Sequence, residues 1–92
     1  MIIETSRELD AWTREALAAS GAAAGLDDAA AAHAIQAISS VVWRHAHGQG
    51  LRLGDDWGWI LDLYDAAAVR EIVRASIDAQ RETASRRRRR GF

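Results

Sequence analysis

The sequence predicts an all-α protein, a small bundle of three to four helices with a connector rich in glycine and tryptophan. The 92 residues contain no proline, so no residue in the chain forces a helix to break. Apolar residues recur at intervals of three and four over three long segments, a spacing that places side chains on one face of a helix.

The first helix is predicted over residues 6–20. Residues 5–8, Thr-Ser-Arg-Glu, match a capping box, in which a hydroxyl and a glutamate three residues later satisfy free backbone N–H groups. Gly21 and Gly25 indicate its end, because glycine readily adopts the left-handed conformation that terminates helices. The apolar face is expected to consist of Leu9, Trp12, Ala16 and Ala19.

A second helix is predicted over residues 27–47. Asp27 or Asp28 is its N-cap, and Gly48 stops it. Trp43 falls at the border between the apolar and the polar face, so partial exposure is expected for this side chain. The buried face is expected to consist of Ala31, Ala34, Ile35, Ile38, Val41 and Val42.

Residues 48–65 form the connector, and two structures fit their pattern. In a helix capped by Asp55 or Asp56, one face holds Trp57, Ile60, Leu61 and Tyr64. In a β-hairpin over residues 51–63, the apolar face instead holds Trp57, Trp59, Leu61 and Leu63. The helix is preferred because caps and periodicity agree, whereas an isolated two-stranded hairpin is only marginally stable.

A last helix is predicted over residues 65–85, with Asp65 as its cap and a break from the connector at that residue. Its apolar face is expected to consist of Val69, Ile72, Val73, Ser76 and Ile77. Residues 1–85 are therefore expected to form one domain. Residues 86–92 are predicted to be a disordered, arginine-rich tail, because chain ends with runs of like charge rarely become ordered.

The amino-acid composition limits which class of protein the chain can belong to. Without cysteine, neither a disulfide nor a cysteine-bound metal supplements the core, and the many alanines bury little area each. A homo-oligomer is expected, since self-association would bury more surface. No apolar run reaches the roughly 18 residues of a membrane span, and the start lacks a signal-peptide pattern. We expect a cytoplasmic location and, from the absence of lysine and asparagine, a bacterial or phage origin.

The sequence contains no pattern typical of an enzyme or a cofactor site. His45 and His47, followed by Asp55 and Asp56, are residue types that bind zinc. Residues two apart on a helix point to different faces, however, so one ion would not reach both histidines. Nucleophile motifs and phosphate-binding loops are absent, and so short a helical chain leaves little room for a ligand pocket. We expect a non-enzymatic protein without metal or cofactor.

The tryptophans of the connector indicate a surface for another protein. Tryptophan and tyrosine dominate interface hot spots, although two or three of the tryptophans could instead form the core. In the helical interpretation Trp59 lies about 200° around the helix from Trp57, so it is the one expected to face solvent. The function predicted is a protein–protein interaction module, such as a small phage or bacterial adaptor, assembly factor or inhibitor of a larger complex. The candidate partner-binding residues are Trp43, Asp55, Asp56, Trp57, Trp59, Asp62 and Tyr64.

An alternative function is binding of nucleic acid through the arginine run. Residues 1–85 hold seven arginines and thirteen carboxylates, a net charge of −6, and residues 86–90 add five positive charges. Such a run neutralises phosphates without reading sequence. Only Phe92 offers an adjacent stacking ring, and the acidic remainder of the chain would repel nucleic acid. The candidate residues are Arg86, Arg87, Arg88, Arg89 and Arg90.

Overall fold

The predicted all-α fold is confirmed by a computed structural model that describes the backbone of residues 1–90 and the side chains of residues 1–86. Its elements are α1 (Ser6–Ser20), α2 (Asp28–Gly48), α3 (Gly58–Leu61) and α4 (Ala66–Arg90). The three long helices pack against one another, and the short α3 packs on α2. The hairpin alternative over residues 51–63 is not formed. Within residues 1–90 the β-pairing is limited to an antiparallel bridge between Ile2 and Asp56.

Side-chain caps set the starts of the three long helices. The side-chain oxygens of Thr5, Asp27 and Asp65 each accept a hydrogen bond from the backbone N–H three residues further on. Such caps satisfy N–H groups that have no partner within the helix. Gly21 ends α1 in the left-handed conformation, with φ of 76°. The first two helices therefore begin and end within one residue of their predicted bounds.

The hydrophobic core lies between the three long helices and is completed by Trp57, Ile60 and Leu61 from the connector. The predicted buried faces of α2 and α4 supply Ile38, Val42, Val69 and Val73, among others. In α1 the predicted face was wrong at Ala19, which is exposed, and it missed three buried residues: Thr13, Leu17 and Ser20.

Thr13 is accommodated in the core by two hydrogen-bonding partners. Its hydroxyl donates to the Leu9 carbonyl at 2.8 Å and lies 3.0 Å from the Ser39 hydroxyl of α2. A buried hydroxyl without such partners would be destabilising. The Thr13–Ser39 contact therefore also fixes the position of α1 against α2.

Helix α4 extends beyond the packed part of the molecule. His33, early in α2, borders the same surface hollow as Thr83, late in α4, so the two helices run antiparallel. Every residue from 78 to 86 is exposed. The helix continues through residue 90, five residues beyond the end predicted from the sequence. The predicted disorder of residues 91 and 92 lies outside the described residues.

None of the helices in residues 1–90 combines the length and the apolar character needed to cross a lipid bilayer.

Candidate functional site

The connector is held by the first residues of the chain. The Met1 carbonyl accepts a hydrogen bond from the Trp57 N–H at 2.8 Å, and the Ile3 carbonyl accepts one from the Gly54 N–H at 2.7 Å. The Ile3 N–H donates in turn to the Asp55 carbonyl at 3.2 Å. The Ile3 side chain is fully buried. These bonds give the connector a defined conformation although α3 accounts for only four of its residues.

Trp57 anchors the connector in the core. Its side chain is 0% exposed, and its indole N–H donates to the Arg52 carbonyl at 3.0 Å. Its ring lies 5.7 Å from the Trp43 ring, centroid to centroid. Trp57 is therefore a core residue without surface to offer to a partner, in contrast to its place among the predicted contact residues.

Trp59 lies on the opposite side of α3 and is 52% exposed, as its position two residues after Trp57 predicts. Leu63, four residues later, is 57% exposed. Within residues 1–86, every large hydrophobic side chain that is exposed belongs to the N-terminal segment or to the connector that it pairs with. We call these five residues the apolar end of the molecule: Met1, Ile2, Leu53, Trp59 and Leu63.

Three aspartates border the apolar end, and two of them also shape its backbone. Asp55 accepts a hydrogen bond from the Arg52 N–H at 2.7 Å. Asp56 accepts from the Met1 ammonium and from the Gly58 N–H, both at 2.8 Å. The hydrogen bond from the ammonium, then that from Gly58, and the charge of the ammonium hold the pKa of Asp56 below its ordinary 3.8. These two aspartates therefore stabilise the connector as well as carry charge.

Asp62 has no comparable structural role. It is exposed, and the side chains described in the structure form no ion pair with it. It lies between Trp59 and Leu63 in the chain. Asp62 is therefore the carboxylate of this end that is most available to a partner.

Tyr64 joins three parts of the fold. Its hydroxyl lies 2.7 Å from Nδ1 of His45 on α2, and its ring meets the Trp12 ring of α1 edge-on at 6.4 Å. Burial raises the pKa of Tyr64 above its ordinary 10.0. The geometry gives Tyr64 a packing role, where the sequence predicted a contact residue.

The two histidines of α2 engage different rings. His45 contacts Tyr64, whereas His47 stacks on Trp43 with ring centroids 4.6 Å apart. No group of three or more metal-binding side chains occurs in residues 1–86.

Trp43 contributes to a separate surface. It is partly exposed and lines a groove of about 720 Å³ between α1 and α2, which we call the α1–α2 groove. The groove also contains Arg7, Leu9 and Arg44. The predicted partner-binding residues are therefore divided among the apolar end, this groove and the core.

The arginine run begins on the exposed part of α4. Arg86 donates to Glu82, one turn earlier, at 2.7 Å. The structure describes a helical backbone for residues 87–90, but it does not describe the side chains of Arg87, Arg88, Arg89 and Arg90.

Comparison of the chain with protein-family models, with curated proteins and with solved structures gives no match.

Proposed function

We propose that this protein is a non-enzymatic protein–protein interaction module that binds its partner through the apolar end. The observation that carries the proposal is the concentration of exposed large apolar side chains at that end. Contiguous exposed apolar surface is uncommon in proteins that act alone and is typical of interaction sites. Tryptophan is also the residue type most enriched among interface hot spots.

The chemistry of the apolar end defines the partner that it suits. Trp59 lies in α3 and Leu63 follows two residues after its end, and both side chains are exposed. In this proposal both enter an apolar pocket of the partner. Asp62 and the neighbouring aspartates favour basic residues around that pocket, because complementary charge speeds and orients association. A small bacterial or phage adaptor, assembly factor or inhibitor of a larger complex, acting in the cytoplasm, would present such a surface.

Site-specific photocrosslinking tests this proposal. A benzophenone amino acid replaces Trp59 in one variant and Gln80, an exposed residue of α4, in a control variant. Both are irradiated in bacterial lysate, and the adducts are identified by mass spectrometry. The expected result is one adduct of defined mass at position 59 that is lost when Leu63→Asp is added. Equal labelling from both positions would contradict the proposal.

A second candidate function is binding of nucleic acid, and the length of α4 favours it. The backbone of residues 86–90 is helical and lies about 30 Å along the helix axis from the start of α4. The aspartates of the connector are at that start. The arginine run is therefore separated from the aspartates of the connector, and Glu82, one turn before the run, is paired with Arg86. Both features reduce the repulsion expected from the net charge of −6.

Truncation after residue 85 tests this second function. Oligonucleotide binding by the full chain should weaken steeply with salt, because neutralised phosphates release counterions, and it should disappear in the truncated chain. The photocrosslink at position 59 should be unchanged by the same truncation. Binding that survives the truncation would exclude residues 86–92 as its source.

A further inference from the structure

The α1–α2 groove has an apolar floor. Leu9 of α1 is buried beneath it and Trp43 of α2 is partly exposed along it, and both line the groove of about 720 Å³. The Trp43 ring packs against the rings of Trp57 and His47, at centroid distances of 5.7 and 4.6 Å. A ring packed against two others has little freedom to move, which lowers the entropy cost of binding.

Two arginines line the same groove without a carboxylate partner. Among the side chains that the structure describes, neither Arg7 nor Arg44 takes part in an ion pair. Within residues 1–86, Arg44 donates only to the Ser40 carbonyl, at 3.3 Å. Among the described residues that line the groove, the one acidic side chain is Asp10, which is paired with Arg14 at 2.9 Å. The groove is thus locally basic, although residues 1–85 carry a net charge of −6.

We propose that the α1–α2 groove is a second binding site, which takes an acidic peptide segment of a partner protein. An apolar side chain of the segment lies over Leu9 and Trp43, and its carboxylates pair with Arg7 and Arg44. Guanidinium groups bind carboxylates through paired, charge-assisted hydrogen bonds. An apolar floor with a few polar groups at the rim is the usual composition of a ligand site.

Peptide is favoured over nucleic acid for this groove. Nucleic acid would place a continuous backbone of phosphates along a molecule whose first 85 residues have a net negative charge. A peptide needs only one or two carboxylates, and its apolar side chain covers a floor that phosphate would leave exposed. The occupant is therefore a segment combining Asp or Glu with an aromatic or large aliphatic residue.

Selection from a random dodecamer peptide library tests the proposal. The bait is the full chain with Trp59→Ser and Leu63→Ser, so that the apolar end does not contribute. Peptides that bind the support without the bait are removed, and the arginine variants are kept for the affinity measurements that follow. The expected result is enrichment of acidic peptides with an aromatic or aliphatic residue. Their affinity should fall about tenfold or more in the Arg7→Glu/Arg44→Glu variant, because charge-assisted bonds are replaced by repulsion.

A matched control separates local pairing from overall charge. Arg74→Glu/Arg81→Glu changes two exposed arginines of α4, so it alters the net charge equally but leaves the groove intact. Its affinity for the selected peptides should stay within about twofold of the unsubstituted chain if overall charge is screened by salt. Circular dichroism checks that all variants fold.

Four outcomes would overturn the proposal: no enrichment, enrichment of neutral or basic peptides, equal loss of affinity in both arginine variants, or oligo(dT) that displaces the selected peptides from the groove. Because the apolar end is disabled in the bait, failure of this selection leaves the proposed function at that end standing. Failure of the photocrosslink at position 59 likewise leaves the groove standing.

Discussion

Trp57 and Trp59 show how two identical residues of the connector acquire different roles. They are two positions apart in the chain, so helical geometry places their side chains about 200° apart around the helix axis. Trp57 enters the core and donates its indole N–H to the Arg52 carbonyl. Trp59 faces solvent at 52% exposure. The same side chain therefore stabilises the fold at one position and is available for recognition at the other.

Substituting each of these tryptophans by alanine measures the difference. Trp57→Ala should lower the free energy of unfolding by about 3–5 kcal/mol, because it empties a large buried site. Trp59→Ala should cost about 1 kcal/mol, since half of its ring is already in water. Urea unfolding gives both values, and similar costs for the two variants would contradict this division of roles.

The ionisation of Tyr64 makes the stability of the folded protein depend on pH. It is the only tyrosine of the chain, so the near-ultraviolet absorbance of phenolate reports its ionisation alone. Because burial raises its pKa above 10.0, the folded state retains the phenol proton more strongly than the unfolded state. The resulting stabilisation is complete below pH 10.0 and is lost as the pH rises through the folded-state pKa.

The Tyr64→Phe variant tests both the hydrogen bond to His45 and the pH dependence of stability. Loss of the hydrogen bond to His45 should cost about 1 kcal/mol near neutral pH. The difference in stability between the two proteins should shrink on alkaline titration. A Tyr64 absorbance titration with the midpoint at or below 10.0 would contradict the effect of burial.

At the scale of elements, two glycines at helix ends have different reasons to be glycine. Gly21 follows α1 with φ of 76°, a backbone conformation that residues with a Cβ atom adopt only at a cost in energy. Gly48 is the last residue of α2, does not have positive φ, and has no atom within 4 Å of the position of an added Cβ. The backbone conformation therefore requires glycine at Gly21 but not at Gly48.

Gly21→Ala should therefore destabilise the protein by about 1–2 kcal/mol. Gly48→Ala, the matched control, should be neutral or should stabilise it by up to about 1 kcal/mol, because alanine is the better helix former. Thermal unfolding at fixed pH compares the two variants. A lower melting temperature for Gly48→Ala than for Gly21→Ala would refute this account of the helix ends.

The N-terminal segment acts as an additional element that pairs with the connector. Its backbone bonds to residues 54–57 take the place of the strand pairing that the hairpin alternative predicted within residues 51–63. Pairing occurs between segments that are more than fifty residues apart, so local sequence patterns contain no information about it. Ile3 enters the core by this route, whereas Ile2 remains 54% exposed.

At the scale of the whole molecule, apolar surface and positive charge lie at different ends. The molecule measures 50 × 26 × 21 Å. The apolar end adjoins the start of α4, and the arginine run adjoins its end. The two proposed binding surfaces, the apolar end and the arginine run, are therefore far enough apart to be occupied at the same time.

Self-association is the whole-molecule prediction that follows from the apolar end. If two copies pair there symmetrically, their aspartates face and repel one another. Salt screens this repulsion, so sedimentation velocity should show a dimer whose association becomes tighter as salt is added. Trp59→Asp/Leu63→Asp should remain monomeric at every concentration. A wild-type chain that is monomeric throughout would refute the homo-oligomer while leaving a different protein as the partner.

The helices could be predicted because their signals are local. Capping residues at 5, 27 and 65 and the apolar spacing of α2 and α4 depend on neighbours within a few residues, and the structure agrees with them. The candidate site was predictable only in part. Periodicity placed Trp59 on the outside, but it did not show that Tyr64 bonds to His45 or that Trp43 belongs to a groove.

The sequence by itself determined the all-α class, the starts of the long helices and the opposite orientations of Trp57 and Trp59. These properties follow from backbone geometry and side-chain periodicity over one or two turns. Only the tertiary structure decided the conformation of the connector, the burial of Thr13 and the grouping of the exposed apolar residues at one end. Those properties depend on contacts between distant segments, because packing and hydrogen bonding act across space and not along the chain.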